Sequence, residues 1–168
     1  MKFGVDIYTS KGTAEALGWD GHRLRLVKSM DTFTIGTFEI TAFDTVHDCK
    51  EPLGFVMKSN VTSEKLLYFT DTAYLKYRFN NLAYILGECN YSKDILLENV
   101  RIGKVDLVGA KRIMQSHMDI DTFCEMLMAN DLGRLQQIYL LHLSDRNSDE
   151  KVFKERIQRL TGAEVYVG

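Results

Sequence analysis

The pattern that decides the fold lies in the stretch Thr37-Phe38-Glu39-Ile40-Thr41-Ala42-Phe43-Asp44-Thr45-Val46-His47-Asp48. Apolar and polar residues alternate from residue 37 to residue 43, which predicts a half-buried β-strand. A short polar turn that contains His47 and Asp48 follows this strand directly. The sequence therefore predicts a sheet in which a histidine and a carboxylate stand at the end of one strand.

A strand followed by a metal-ligand type of residue occurs twice more. Asp71 follows a predicted strand at 65–70, and His142 ends a predicted strand at 137–141. Because strand ends in a layered α/β fold lie along one edge, we expect His47, Asp71 and His142 to meet there. Imidazole and carboxylate groups suit zinc and similar divalent metals. Hydrogen-bonded histidines and an aspartate that caps its own turn are the alternative interpretation.

The remaining pattern favours an α/β fold. Further strands are predicted at 3–8, 24–27, 53–58, 83–89 and 164–167, and helical segments at 13–17, 95–97, 105–114, 119–130 and 148–160. Strands come first and then alternate with helices, which implies sheets covered by helices. No linker divides the chain, so we expect residues 1–168 to form a single domain.

Composition excludes several classes of protein. The chain has 168 residues with 21 Lys+Arg against 23 Asp+Glu, a formal charge of −2, so only a local basic cluster could bind nucleic acid. Three widely spaced cysteines (Cys49, Cys89 and Cys124) form neither a disulfide framework nor a zinc ribbon. No apolar run approaches the roughly 18 residues of a membrane span. We expect a soluble, cytoplasmic protein.

Several segments, in order, resemble the metallo-β-lactamase-fold metallo-hydrolases, and most closely the RNase Z-like and small phage and bacterial exonuclease-like branch. Residues 41–48, continued by 51–55, resemble the post-strand histidine motif, and residues 67–74 resemble the bridging-aspartate motif. Glu88-Cys89-Asn90-Tyr91 resembles the family motif E-x-N-Y, and Ser116-His117-Met118 resembles G-H-L-S. Residues 139–144, with Asn147 and Glu150, resemble the motif L-x-H-L-S-x-x-N-x-x-E. Residues 8–17 resemble the segment that follows the first metal motif.

The resemblance implies an αββα sandwich with a two-metal hydrolytic site. By similarity, His47 completes the histidine set of the first metal, Asp71 bridges both metals, and His142 binds the second. Zinc or manganese is the implied cofactor, and two such ions activate a phosphoryl or acyl group toward attack by hydroxide.

Three further residues take supporting roles under this resemblance. His117 is expected to approach the substrate as a donor or acid, although a histidine at a helix terminus can also simply bind the backbone. Asp48 and Asn147 are expected to orient the ligands from behind, unless they only hold their own turns.

One motif of this family is missing from the sequence. Its members carry an upstream H-x-H-x-D-H loop that supplies most ligands of both metals, whereas His22, the remaining histidine, stands alone after a turn and is interpreted as a surface residue. A catalytic zinc normally has about three protein ligands. We therefore expect a partial sandwich, truncated at its N-terminus near Met1, that binds metal weakly or not at all by itself.

Three functional hypotheses stay open. The first is a phosphodiesterase- or nuclease-type hydrolase portion that needs a complementing N-terminal half. The second is an inactive binding or assembly module, such as a homodimer, because a truncated sandwich exposes a sheet edge that must be covered. The third is nucleic-acid binding through the basic residues Arg101, Lys104, Lys111 and Arg112, a pattern that a solvated helix face also shows.

Overall fold

The computed structural model describes residues 4–168, so the first residue of the strand predicted at 3–8 lies outside the described residues. The strands are β1 (Ile7–Thr9), β2 (Leu24–Leu26), β3 (Thr32–Ile35), β4 (Phe38–Asp44), β5 (Leu53–Ser59), β6 (Lys65–Phe69), β7 (Leu82–Glu88), β8 (Gln137–Leu141) and β9 (Glu164–Val167). The helices are α1 (Lys11–Leu17), α2 (Lys93–Arg101), α3 (Leu107–Ser116), α4 (Ile120–Met128) and α5 (Glu150–Thr161).

Strands β3 to β9 form one seven-stranded sheet in chain order. The pairs from β3 to β6 are antiparallel, and the pairs from β6 to β9 are parallel. Antiparallel neighbours need only short turns, whereas parallel neighbours need longer crossover connections. The connection from β7 to β8 contains α2, α3 and α4, and the connection from β8 to β9 contains α5. The first two strands form a separate parallel pair.

The main core lies between the second half of the sheet and helices α4 and α5. Its fully buried side chains include Leu67, Phe69, Ile85, Phe123, Leu127, Ile138, Leu140, Phe153 and Ile157. Alternation along β6 and β8 points these side chains to one face of the sheet, as the period of two requires. Gly87 admits the ring of Phe69 directly against β7, one residue before Glu88. The core therefore fixes the end of β7.

The predicted α/β class is confirmed, and the helix caps explain where the helices begin. Ser10 caps α1 by accepting a hydrogen bond from the Thr13 amide, and Asp119 caps α4 in the same way. Strand β3 was not predicted, because it is a four-residue edge strand with mostly exposed side chains. Helix α2 extends well beyond the three apolar residues on which its prediction rested. None of the helices in the described part of the chain is long and apolar enough to cross a membrane.

The other face of the seven-stranded sheet is apolar but partly exposed. We call it the open sheet face and define it by Ile35, Phe38, Met57, Leu66, Tyr84, Tyr139 and Tyr166, which the strand register places on one side. The first five of these side chains help line a cavity of about 340 Å³. The rings of Tyr139 and Tyr166 stack at 5.0 Å. Phe38 is 48% exposed, so water reaches an aromatic surface here.

Candidate metal centre

The polar residues predicted from the sequence meet at one edge of the sheet. His47 follows β4, Asp71 follows β6, Glu88 ends β7 and His142 follows β8. His117 joins them from the end of α3. The structure therefore brings together all four of the residues expected to bind metal or approach substrate, and it adds Glu88.

Four of these residues form a compact group of donors. Asp71, Glu88, His117 and His142 each offer a ligand atom, and these atoms lie within 4.8 Å of one another. His142 Nδ1 is 3.3 Å from Asp71 Oδ1 and 3.1 Å from Glu88 Oε1. Two imidazoles and two carboxylates are a donor set that zinc, manganese or iron accepts. The residues present therefore fit a divalent metal.

His47 stands at the margin of this group. Its Nε2 is 3.9 Å from Asp71 Oδ1, and its ring centroid is 5.4 Å from that of His117. Backbone bonds hold its loop, because the Val46 amide donates to Thr72 Oγ1 and the Ala73 amide donates to the Val46 carbonyl. The side chain is only 14% exposed. His47 therefore lies beside Asp71 but outside the four-residue donor group, and its role as a metal ligand stays a prediction.

Glu88 is the site residue for which the sequence analysis assigned no role. Its side chain is fully buried; Oε2 accepts from the Thr72 amide at 2.7 Å, and Oε1 accepts from His117 Nδ1 at 2.6 Å. The hydrogen bond to Glu88 raises the pKa of His117 above its ordinary value. A glutamate at the end of an apolar strand was the available signal, because a buried carboxylate requires partners of this kind.

Two of the site residues have unusual backbone geometry. Asp71 has a φ of +49° and His142 a φ of +55°, in the left-handed region. This conformation costs a residue other than glycine about 1–3 kcal/mol and persists only where surrounding contacts impose it. One such contact is the bond from Asn90 Nδ2 to the His142 carbonyl, at 2.7 Å. Asn90 is thus a second supporting residue that the sequence analysis left without a role.

The two residues expected to orient ligands lie in different surroundings. Asp48 Oδ1 is 3.1 Å from His47 Nδ1, so Asp48 contacts a predicted ligand directly. Asn147 is buried and holds the turn after His142: its side chain donates to Ser144 Oγ and accepts from Asn99 Nδ2. These bonds hold the turn rather than a donor atom of the site, and the role of Asn147 in orienting ligands stays a prediction.

Two of the four basic residues that were considered for nucleic-acid binding are paired with carboxylates. Arg101 bonds Glu98 at 2.6 Å, and Arg112 bonds Asp48 at 3.0 Å, whereas Lys104 and Lys111 are exposed. His22 is exposed in the turn before β2, as expected of a surface residue.

Comparisons with known proteins agree with this architecture. The chain is 28% identical over 126 residues to exodeoxyribonuclease YycJ of Bacillus anthracis, a match that covers 71% of this chain and 46% of that protein. The metallo-β-lactamase fold protein YhfI of Bacillus subtilis superposes with a TM-score of 0.67 at 15% identity, over 97% of this chain and 61% of that one. A diphosphatase of the PhnP family gives a TM-score of 0.60 at 12% identity, over 98% and 55%. No family model matches the chain.

The chain has the metallo-β-lactamase fold. The fold that its sequence motifs indicated is confirmed by these structural neighbours. The chain spans about half the length of the curated relative that it matches. The donor group therefore lies in a fold that is similar to YhfI and to the PhnP-family diphosphatase.

Proposed function

We propose that this chain belongs to a metal-dependent phosphodiesterase or nuclease and carries part of its active site. The observation that supports this most is the convergence of Asp71, Glu88, His117 and His142 within 4.8 Å at the ends of strands. The similarity to an exodeoxyribonuclease points to phosphodiesters as the class of substrate. A divalent metal in such a site supplies positive charge that polarises a phosphoryl group.

We infer separate roles for the residues of the site. His47, Asp71 and His142 hold zinc or manganese, with Asp71 between the two histidines. His117 acts on the leaving oxygen of the substrate, because an imidazolium ring can donate a proton there. Glu88 keeps the ring of His117 oriented and favours its protonated form, which agrees with the raised pKa of His117.

Full activity requires ligands that this sequence does not contain. His47, Asp71 and His142 are too few for two metal ions, since each catalytic zinc takes about three protein ligands. We propose that a polypeptide segment with an H-x-H-x-D-H loop supplies the others. The chain matches 61% of YhfI and 46% of YycJ, so both proteins contain a large part without a counterpart here.

The open sheet face is the surface that this segment would cover. It presents Ile35, Phe38 and Tyr166, each at least 40% exposed, next to an apolar cavity. Exposed apolar surface of this kind marks an interaction site in a soluble protein. The alternative function, an inactive module that covers the same face by forming a homodimer, remains the second candidate. Cytoplasmic location stays a prediction.

Metal analysis tests the proposed function. The chain would be purified alone and together with the part of the Bacillus anthracis relative that has no counterpart here, and zinc and manganese would be measured in both preparations. We expect little metal in the first and a clear increase in the second, with cleavage of a phosphodiester such as bis(p-nitrophenyl) phosphate. Asp71→Ala should abolish both, whereas His22→Ala, in an exposed turn, should change neither.

The opposite results separate the candidates. If the complex forms but gains neither metal nor phosphodiesterase activity, the hydrolase proposal fails. A metal-free chain that light scattering shows to be a stable dimer would instead support the assembly module.

A further inference from the structure

One buried threonine joins the segments that carry the site residues. Thr72 follows Asp71 directly and is fully buried. Its Oγ1 accepts a hydrogen bond from the Val46 amide at 2.9 Å and donates one to the Tyr74 carbonyl at 2.8 Å. The amide of Thr72 donates to Glu88 Oε2 at 2.7 Å. This one residue therefore links the turn after β6 to the turn after β4 and to the end of β7.

The hydroxyl group of Thr72 has a defined orientation. Because an amide can only donate and a carbonyl can only accept, the hydroxyl proton points to Tyr74 and a lone pair of Oγ1 faces Val46. A valine has nearly the same shape but offers neither group, and it would leave the Val46 amide without its acceptor. The contact with the turn after β4 thus depends on the chemistry of this side chain and not on its volume.

The bond to Val46 bears on His47, which is the next residue. A second bond joins the same two turns, because the Ala73 amide donates to the Val46 carbonyl at 2.9 Å. Both polar groups of the Val46 main chain are therefore bound to the turn that carries Asp71. The hydrogen bond of the His47 ring is local, since its Nδ1 accepts from the Cys49 amide at 3.2 Å. The bonds to Val46 are the ones that tie His47 to the opposite turn.

The bond to Glu88 anchors Thr72 itself. Glu88 is fully buried at the end of β7, and its other carboxylate oxygen is hydrogen-bonded to His117 Nδ1 at 2.6 Å. The turn of His47 is thereby held, through Thr72, by the same carboxylate that orients His117. The ring centroids of these two histidines are 5.4 Å apart.

We propose that Thr72 is a positioning residue whose hydroxyl group holds His47 beside Asp71 and close to His117, as the binding of one divalent cation by His47 and Asp71 requires. The proposal rests on the proposed function only in taking these two residues as metal ligands. It concerns position as well as stability: loss of the hydroxyl group should displace His47 in a chain that is still folded.

Nuclear magnetic resonance of the metal-free chain tests the proposal. In the wild type we expect nuclear Overhauser contacts between the rings of His47 and His117, and slow exchange of the Val46 amide proton. Thr72→Val should remove the ring contacts and accelerate exchange of the Val46 amide by about tenfold, because the acceptor of that amide is lost. Thr72→Ser keeps a hydroxyl group and should restore both.

Thr45 offers a matched control next to the turn of His47. It is 5% exposed, and its Oγ1 has no hydrogen-bond partner in the part of the chain that the structure describes. Thr45→Val therefore removes a buried hydroxyl group without breaking a bond, and it should change neither the ring contacts nor the exchange of the Val46 amide.

Zinc affinity supplies a second measurement, made on the chain with and without the part of the Bacillus anthracis relative that has no counterpart here. Thr72→Val should weaken zinc binding by about tenfold, the lower end of the effect of losing an outer-shell support. Thr72→Ser and Thr45→Val should bind zinc as the wild type does. If Thr72→Val does not fold, Thr72→Cys takes its place, because a thiol is a weaker donor and acceptor than a hydroxyl group.

The outcomes are distinct from those of the proposed function. Ring contacts that persist in a folded Thr72→Val or Thr72→Cys variant overturn the proposal, and so does a wild-type Val46 amide that exchanges as fast as an exposed one. Since these measurements need no metal, a chain that binds no zinc with or without a partner would refute the hydrolase function and still leave the effect of Thr72 on His47 decided.

Discussion

Glu88 Oε1 accepts a hydrogen bond of 2.6 Å from His117 Nδ1, which joins a fully buried carboxylate to a ring at the surface of the site. The other oxygen of Glu88 is bound by the Thr72 amide, so the carboxylate is held from two sides. The ring of His117 is therefore oriented by the core of the fold rather than by its own helix alone.

Glu88→Gln should lower the pKa of His117, because the hydrogen bond to Glu88 is the largest cause of its upward shift. Because the pKa of His117 is higher in the folded state, its protonation stabilises the fold fully at a pH below the unfolded-state pKa, ordinarily 6.5. This stabilisation is lost as the pH rises through the folded-state pKa. We expect the difference in unfolding free energy between the wild type and Glu88→Gln to shrink as the pH rises across this range. Urea unfolding at pH 5 to 9, with an NMR titration of His117, measures both effects.

An unchanged His117 titration in a folded Glu88→Gln variant would contradict this prediction. Glu125→Gln, on the exposed side of α4, is the matched control and should not alter the titration.

Asp44 should contribute to acid sensitivity. Hydrogen bonds from Lys76, Tyr77 and Ser29 hold the pKa of Asp44 well below its ordinary value of 3.8. A lowered pKa stabilises the folded state above the unfolded-state value, and this contribution is lost as the pH falls below it. Asp44→Asn should therefore cost about 1 kcal/mol at pH 7 and progressively less toward pH 2. Urea unfolding across this range checks it, and a constant difference would contradict it.

Phe123→Ala should strongly destabilise the chain. Phe123 is fully buried, and its ring centroid is 6.2 Å from that of Phe69 beneath the end of β7. Truncating a buried phenylalanine costs about 3–5 kcal/mol. Phe38→Ala removes the same atoms from the open sheet face, where the ring is 48% exposed, and should cost less than half as much. If Phe38→Ala and Phe123→Ala lower the free energy of unfolding in urea equally, the open sheet face is covered in solution.

Lys104 and Lys111 should carry any attraction of this chain for nucleic acid, because Arg101 and Arg112 are already paired with carboxylates. Lys104→Glu/Lys111→Glu should weaken binding of a fluorescent DNA oligonucleotide by tenfold or more at low salt. It should also flatten the salt dependence, since each phosphate contact adds about one unit to the slope of log K against log salt. Lys151→Glu, on exposed α5, is the control. Identical salt slopes for all proteins would rule out this surface.

Much of this architecture could be predicted from local sequence. The strand from residue 37 and the aspartate cap of α4 follow from periodicity and from the hydrogen-bonding capacity of the side chain. The positions of His47, Asp71 and His142 at strand ends placed them on a common edge. Local patterns specify such elements because each depends on residues only a few positions apart.

The contacts that hold the site residues in place could not be predicted from local sequence patterns. The partners of Glu88 come from Thr72 and His117, 16 and 29 residues away, and the partner of Asp48 is 64 residues away on α3. Such contacts depend on how β7 and α3 pack, and no periodicity encodes them. Short edge strands such as β3 were missed for a different reason, since few of their side chains are buried.

At Asp71 and His142 the backbone is left-handed, so the residue that would make the fold most stable differs from the residue that the site requires. Glycine adopts this conformation without the cost that a side chain imposes. At both positions, therefore, the residue best suited to the chain's own stability is one with no donor atom at all. A library selected only for thermal resistance should enrich glycine at 71 and 142, and in doing so it should remove two of the four clustered donors.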